Sequence, residues 1–408
     1  MAAPPISKTA AQAALDAHTK YGSIEGAARA VGLPSSTFRN RYRAALTYGL
    51  TPSIAAELAE PVDELTMLKD KIRKLESQVS SAQRETISDE YVKRKIIGLS
   101  EQTPDVPAWL NAERKSASND VGVPTLFASD WHWGEVVNAR QIGGVNEYDM
   151  GIAQDRAREM IVRTVSLCKK HLGTMKYPGI VFALGGDMVS GDIHEELVAT
   201  NETEIMPTVI DLWGVLIWCI ERLADEFGHV FVPCVTGNHG RNTHKIRAKG
   251  RNYTSFDWLL YQFLAKHFEA DKRVRFLIPD GPDAYYSIFG HRYLLTHGDQ
   301  FRGGDGMIGA LGPIIRGDHK KRSRNAQIDL EYDTMLVGHW HQLIQLQRLI
   351  VNGSLKGYDE YANQNNFPFE PPRQALWITH PKLGITFTAP VLVERNQHKK
   401  GGAWVAWK

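Results

Sequence analysis

Five short segments rich in Asp, His and Asn recur in a fixed order along a chain of 408 residues: Asp130-Trp131-His132, Gly186-Asp187, Gly237-Asn238-His239, His297-Gly298-Asp299 and Gly338-His339-Trp340-His341. Their side chains offer the oxygen and nitrogen donors that hold manganese, iron or zinc. No thiolate is among them, so a zinc-finger type of site is excluded. Two cations roughly 3.5–4 Å apart suit an in-line displacement at phosphorus, and a carboxylate between them offsets their mutual repulsion. Asp187 is the expected bridge.

The elements that must position these residues can be read just upstream of each. VPTLFAS precedes Asp130, GIVFALG precedes Asp187, VFVPCVT precedes Asn238, RYLLT precedes His297 and TMLV precedes His339. Short apolar runs of this kind are strand-like, and an open α/β sheet places its site at the ends of such strands.

In these motifs the chain resembles the calcineurin-like metallophosphoesterase superfamily over about residues 121–395, nearest to the SbcD-type and phage-encoded DNA phosphoesterases. The resemblance implies two divalent metal ions, manganese foremost, with iron, zinc or magnesium as alternatives. It implies that Asp130, His132, Asp187 and His341 hold one ion and that Asp187, Asn238, His297 and His339 hold the other. His239 would stand beside the scissile phosphate as general acid or transition-state stabiliser.

Two departures from that family's pattern bear on the site. An Asp or Glu commonly follows the histidine of the third motif, whereas Gly240 stands here, so His239 must find its orienting partner elsewhere. Ser190 stands where the family often has a second Asp, with Asp192, His194, Glu195 and Glu196 crowded after it. Those residues are either outer partners of the site or an ordinary helix start with Asp192 as its cap.

Composition bounds the rest. Apolar residues make up 43% of the chain, enough for buried cores, and the length predicts two or three units. A net charge of +2 announces no nucleic-acid partner, so any such signal must be local. Cys168, Cys219 and Cys234 are far apart in apolar stretches, which fits a reducing cytoplasm of a bacterium or phage-infected host and predicts no disulfide. Charged residues interrupt the longest apolar segment, TVIDLWGVLIWCIERLADEF, so no membrane association is expected.

Residues 1–52 read as a helix-turn-helix unit: a helix over 10–21, a second over 24–31 capped by Ser23, a Gly-Leu-Pro turn, and a third helix from Ser35 or Ser36 bearing Arg39, Arg41 and Arg43. GSIEGAARAVGLPSSTFRNRYRAA resembles the small DNA-binding domains of transposases and phage regulators. Residues 53–86 are expected to be helical, and Leu65, Leu68, Ile72, Leu75 and Val79 suggest a short coiled coil that could form a homodimer through residues 62–79. Residues 87–122 read as linker with one helical piece near 89–99, and 396–408 as a tail.

Residues 123–395 alternate strands with helices at 155–171, 203–227 and 254–268, after which strands dominate. The pattern predicts an α/β fold of two packed mixed sheets flanked by helices. That is also the four-layer sandwich the resemblance implies. Basic runs at 241–251 and 316–324 follow metal motifs, so Lys245, Arg247, Lys320, Lys321 and Arg322 are expected on loops holding successive phosphates of DNA. Tyr358, Tyr361 and Phe367 either stack unpaired bases or pack their own loop. The expected activity is hydrolysis of DNA phosphodiesters by a phage or prophage nuclease. The alternatives are a small-molecule (nucleotide) phosphoesterase and a DNA-binding accessory protein with a structural metal centre.

Overall fold

A computed structural model describes residues 6–53, 106–111, 122–172, 177–302 and 311–394. The chain divides into two compact units, Met1–Gly98 and Leu99–Lys408, each considered by itself.

In the first unit α1 spans Lys8–Tyr21, α2 Ile24–Ala30 and α3 Ser35–Thr47. Ser7 caps α1 by accepting from the Ala10 amide, and Ser23 caps α2 by accepting from the Gly26 amide, as its position in the sequence suggests. Gly22 ends α1 in the left-handed conformation, and the Gly32–Pro34 turn separates α2 from α3. Ala11, Ala14, Ala27, Ala28 and Ala45 let the helices approach closely around Phe38, which is fully buried. The proposed coiled-coil residues 62–79, the piece near 89–99 and the tail 396–408 lie outside the described residues.

The second unit is built on two mixed sheets. The first has the order β11-β10-β1-β2-β3-β4, with β1 (Val123–Ala128), β2 (Ile180–Leu184), β3 (Val230–Pro233) and β4 (Val274–Leu277) parallel. β10 (Arg373–His380) lies antiparallel beside β1, and β11 (Gly384–Leu392) antiparallel beside β10. The second sheet runs β5-β6-β7-β9-β8, formed by β5 (Asp283–Ile288), β6 (His291–Thr296), β7 (Thr334–Val337), β8 (Ile344–Leu346) and β9 (Leu349–Val351). Within it β6, β7 and β9 are parallel.

Period-two alternation decides which layer each residue joins. Phe127, Val181, Ala183, Phe231 and Trp377 of the first sheet meet Tyr286, Tyr293, Leu295, Leu336 and Ile350 of the second in a core between the sheets. Their neighbours Leu126, Phe182 and Leu184 point the other way, into a core with α4 (Met150–Ser166), α6 (Ile205–Phe227) and α7 (Phe256–His267). Leu294, Met335, Val337 and Val351 face Ile314 of α8 (Leu311–Ala326) on the outer face of the second sheet. The result is a helix–sheet–sheet–helix sandwich, as the sequence pattern predicts. Along α6, Leu212, Leu216, Ile220, Leu223 and Phe227 recur at spacings of three and four and are all buried, giving one apolar face.

Several expectations are corrected. The basic run 316–324 is not a loop but part of α8, because Ile314, Gly317, Lys321 and Asn325 repeat at helical spacing on its buried side. The stretch LIQLQRLIV is not one strand: it turns back on itself as the antiparallel pair β8–β9. Asp192 caps nothing, because the short helix α5 (Glu195–Thr200) starts after His194 with no side-chain cap. Part of the supposed linker is core: Leu110 is fully buried against the layer between the sheets, and its carbonyl accepts from the Phe289 amide at 2.9 Å. Among the described residues no helix is long and apolar enough to cross a membrane.

Candidate metal centre

All five motifs come together at the carboxyl ends of parallel strands. Asp130 and His132 follow β1, Asp187 follows β2, Asn238 and His239 follow β3, His297 follows β6, and His339 and His341 follow β7. Two sheets therefore contribute to one site, which explains how residues more than two hundred positions apart can meet.

The backbone there is bent for the purpose. Eight non-glycine residues among those described have positive φ, and five are Asp130 (57°), His132 (48°), Asp187 (51°), His339 (67°) and His341 (52°). A left-handed non-glycine residue costs on the order of 1–3 kcal/mol and persists where the surroundings force it, typically at functional sites. Gly237 shows how closely the loops pass: a Cβ there would lie 2.0 Å from Asp187 Oδ1. No residue but glycine fits.

The donors form three overlapping groups: Asp130, His132 and His341; His132, Asp187 and His239; Asp187, His297 and His339. His132 Nε2 and His341 Nε2 are 3.0 Å apart, and His341 Nε2 is 3.5 Å from Asp130 Oδ1. His297 Nε2 lies 2.9 Å from Asp187 Oδ2 and 3.2 Å from Asn238 Oδ1. Lone pairs that converge this way from Asp, His and Asn suit a divalent cation, so the residues fit the metals expected of them. Asp187 belongs to two groups, which suits the bridging position. His239 joins one donor group as well as standing beside it, and the Asp187 carboxylate accepts its backbone amide at 2.6 Å.

Electrostatics prepare the ligands. Burial, with Lys356 and His239 adding, pushes His132 down to about 4, and burial with His297 pushes His339 down to about 4. Both imidazoles are thus neutral at pH 7 and offer lone pairs. Burial also works to lower His297, but the ion pair with Asp187 outweighs it, and that imidazole is pushed up to about 10. Asp187 correspondingly lies well below the usual carboxylate range, despite a burial that opposes ionisation.

Sequence reading missed the supports. The orienting partner of His239 is a main-chain group: Nδ1–H donates to the Ser190 carbonyl at 3.0 Å, leaving Nε2 for chemistry. Glu135, three residues after His132, has Oε2 3.3 Å from its Nδ1, and buried Lys356 donates from Nζ to Glu135 Oε1 at 2.8 Å. Asp257, fully buried on α7, accepts the amides of Asp187, Met188 and Gly237; burial and then repulsion from Asp187 push its carboxyl up to about 6. Behind Asp130, Ser129 Oγ donates to its Oδ2, and Asn352 donates to Ser129 Oγ at 3.0 Å and to Gln374 Oε1 at 3.1 Å. Only Glu135 carried a local signal, its spacing from His132.

The predicted DNA-contact residues divide. Lys245 and Arg247 are exposed on the loop after the third motif, and Arg247 lines a shallow cleft with Asn238, Arg241 and Arg251. Lys320 is exposed on α8. Lys321 is buried and donates to both oxygens of Asp283 at 2.6 and 2.8 Å, while Arg322 is held by Asp318 and the Tyr332 carbonyl. Lys321 is corrected, its head committed inside the fold, whereas Arg322 is half-buried and paired near the surface. Arg251 makes a two-pronged pair with Asp299, tying the fourth motif to the third. Tyr361 and Phe367 meet edge to face at 5.9 Å, and both remain exposed. A groove of about 840 Å³ is lined by His291, Asp333 and Arg348, at the opposite strand ends from the candidate ligands.

No family model matches the chain, and no curated protein matches its sequence. Solved structures similar to it include a single mutant of Vps29 from Entamoeba histolytica, at 12% identity and a TM-score of 0.26, covering 66% of this chain and 99% of that one. Wild-type Vps29 from the same organism, complexed with zinc, gives 10% identity and 0.24 over the same shares. A protein serine/threonine phosphatase from Saccharomyces cerevisiae, with similarity to human phosphatase PP5, gives 14% and 0.26, covering 76% of this chain and 91% of that one.

The His297–Asp187 pair would make binding of a cation at that imidazole proton-linked. Below about 10 the imidazole holds its extra proton, which a cation taking that nitrogen must displace. Titration of Mn2+ at pH 7.5 in buffers of different ionisation enthalpy should show close to one proton released, with affinity rising as pH increases. Heats independent of the buffer would contradict this protonation state.

Proposed function

We propose that the protein is a two-metal phosphodiesterase of the calcineurin-like type acting on DNA, a hydrolase of a phage or prophage working in the bacterial cytoplasm. The observation that carries the reading is the gathering of donors from two sheets into three overlapping groups, Asp130, His132 and His341, then His132, Asp187 and His239, then Asp187, His297 and His339, with Asn238 Oδ1 3.2 Å from His297 Nε2. Asp130, His132, Asp187 and His341 would hold one ion, and Asp187, Asn238, His297 and His339 the other, with manganese the first candidate. Divalent cations in these positions supply Lewis-acid stabilisation of charge at phosphorus and activation of water.

The chain's own groups do the rest. Asp187, kept ionised, holds its charge between the two donor sets. His239 presents Nε2 to the leaving oxygen while Ser190 holds the other face of its ring. It can donate from Nε2 only when doubly protonated, a form that burial disfavours and that Asp187 and Glu135 favour. Asn352, Gln374 and Ser129 hold the Asp130 loop, so the ligand carboxylates need not reorganise during turnover.

DNA is favoured by the exposed Lys245 and Arg247 beside the Asn238 loop and by α3, where Arg39 and Arg43 share an exposed face. Arg41, about 200° round the helix from Arg39, lies away from that face. The three-helix unit would hold the hydrolase on a duplex, and pairing of two chains through residues 62–79 would double that attachment. A nucleotide or another small phosphoester is the second reading. The internal commitment of Lys321 favours it, since it removes part of the expected polyanion surface.

Asp187→Ala should abolish Mn2+-dependent hydrolysis of bis-p-nitrophenyl phosphate and lower metal content without unfolding the chain; a normal rate in that variant rejects the bridging assignment. His239→Ala should slow the reaction roughly 10²–10⁴-fold with near-normal metal content. Loss of an ion in that variant would make His239 a ligand, as its donor group permits.

Substrate class is tested by turnover of plasmid, linear duplex and single-stranded DNA beside the small diester. Replacing Arg39 and Arg43 together should weaken duplex binding and flatten its salt dependence, with little change from Arg41→Ala and none in small-diester hydrolysis. Unaltered DNA binding and cleavage would leave the nucleotide reading standing.

A further inference from the structure

The strongest unabsorbed group is a carboxylate that touches neither the proposed ions nor solvent. Asp257, the second residue of α7, is fully buried. Its Oδ2 accepts the Asp187 amide at 3.0 Å and the Gly237 amide at 2.9 Å, and its Oδ1 accepts the Met188 amide at 3.2 Å. One side chain thus joins the loop after β2 to the loop after β3, and these carry the bridging carboxylate and Asn238. Buried main-chain donors left unpaired would cost about 1–3 kcal/mol each, so the carboxylate constrains both loops strongly.

The position of Asp257 also explains the absence of an acid after His239. A Cβ on Gly240 would lie 3.0 Å from Asp257 Oδ1 and 3.1 Å from its Cγ, so the space is already taken. The two positions are lashed together by the Phe256 amide, which donates to the Gly240 carbonyl at 2.6 Å. Gly240 and Asp257 therefore offer alternative attachment points for one carboxylate.

We infer that Asp257 is a positioning residue for the metal centre, delivering from α7 the buried carboxylate that holds the Asp187 and Asn238 loops in register and that position 240 could deliver in its place. The inference rests on the metallophosphoesterase reading, and it makes a relocation experiment possible. Asp257→Ala should weaken Mn2+ binding, measured calorimetrically, by about 10–100-fold, the usual effect of removing a group that supports ligands. It should also speed hydrogen exchange at the amides of Asp187, Met188 and Gly237. Adding Gly240→Asp to that variant should restore affinity to within about tenfold and slow those amides again. Gly240→Asp alone, meeting the resident carboxylate, should weaken binding.

Unchanged affinity and exchange in Asp257→Ala would overturn the inference, as would a folded double variant no better than the single one. Should Asp257→Ala fail to fold, Asp257→Asn keeps the shape but turns an amide donor toward one of the three N–H groups, and it should show the same losses to a smaller degree; parent-like affinity and exchange there would overturn the inference. A parent chain that bound no Mn2+ would reject the metal reading, while the exchange measurements would still decide the role of Asp257.

Discussion

Asp187 is buried to 1% exposure, and its charge lies between two sets of imidazoles. A carboxylate stripped of water is costly, and here the cost is offset by the His297 imidazole, the His239 amide and whatever cation the donors take. Meeting that requirement dictates much of the surrounding structure. The residue itself must turn left-handed, the loop opposite it must carry glycine at 237, and a second acid, Asp257, must brace its backbone without approaching as a competing ligand. The two sheets also have to pack in one relative position, since His297 and His339 belong to one and Asp187 to the other.

Much of this was legible from residue order. Short apolar runs in β1, β2, β6 and β7 announce buried strands, and each donor motif follows a strand, so the sandwich and the place where the donors gather could be read. What could not be read was anything whose meaning depends on a partner distant in sequence. Lys356 looks like an ordinary loop lysine until Glu135 and Asp359 are seen on either side of it in the interior. Asp257 looks like a first-turn helix acid, a role that requires no tertiary contact. Basic residues misled for a related reason: a run of Lys and Arg has the same composition whether it faces solvent or, as with Lys321, reaches inward to a buried carboxylate.

The arginines near the third and fourth motifs illustrate how charge is divided between construction and recognition. Arg241 donates to the Asn238 and Thr243 carbonyls, and Arg251 grips Asp299 with both prongs, so both are used to shape the loops. Lys245 and Arg247, between them in sequence, stay exposed. A ligand arriving at Asn238 would thus meet a loop whose ends are anchored by guanidinium groups and whose middle presents exposed cationic side chains. Such a division suits an anionic ligand, whose charge the exposed side chains meet while the anchored ends shape the loop beside the donors.

The placement of β10 has a consequence for synthesis of the chain. β1 pairs on one side with β2, the next strand in sequence, but its other edge is covered by β10, near the carboxyl end of the described residues. Until that strand emerges from the ribosome, the nascent polypeptide presents an apolar strand, VPTLFA, with one row of amides and carbonyls open to any other extended segment. A chain interrupted before residue 373 would keep all seven proposed ligands and still lack the strand that closes the first sheet. Truncation products of this protein should therefore be met as aggregates or chaperone clients rather than as smaller working enzymes.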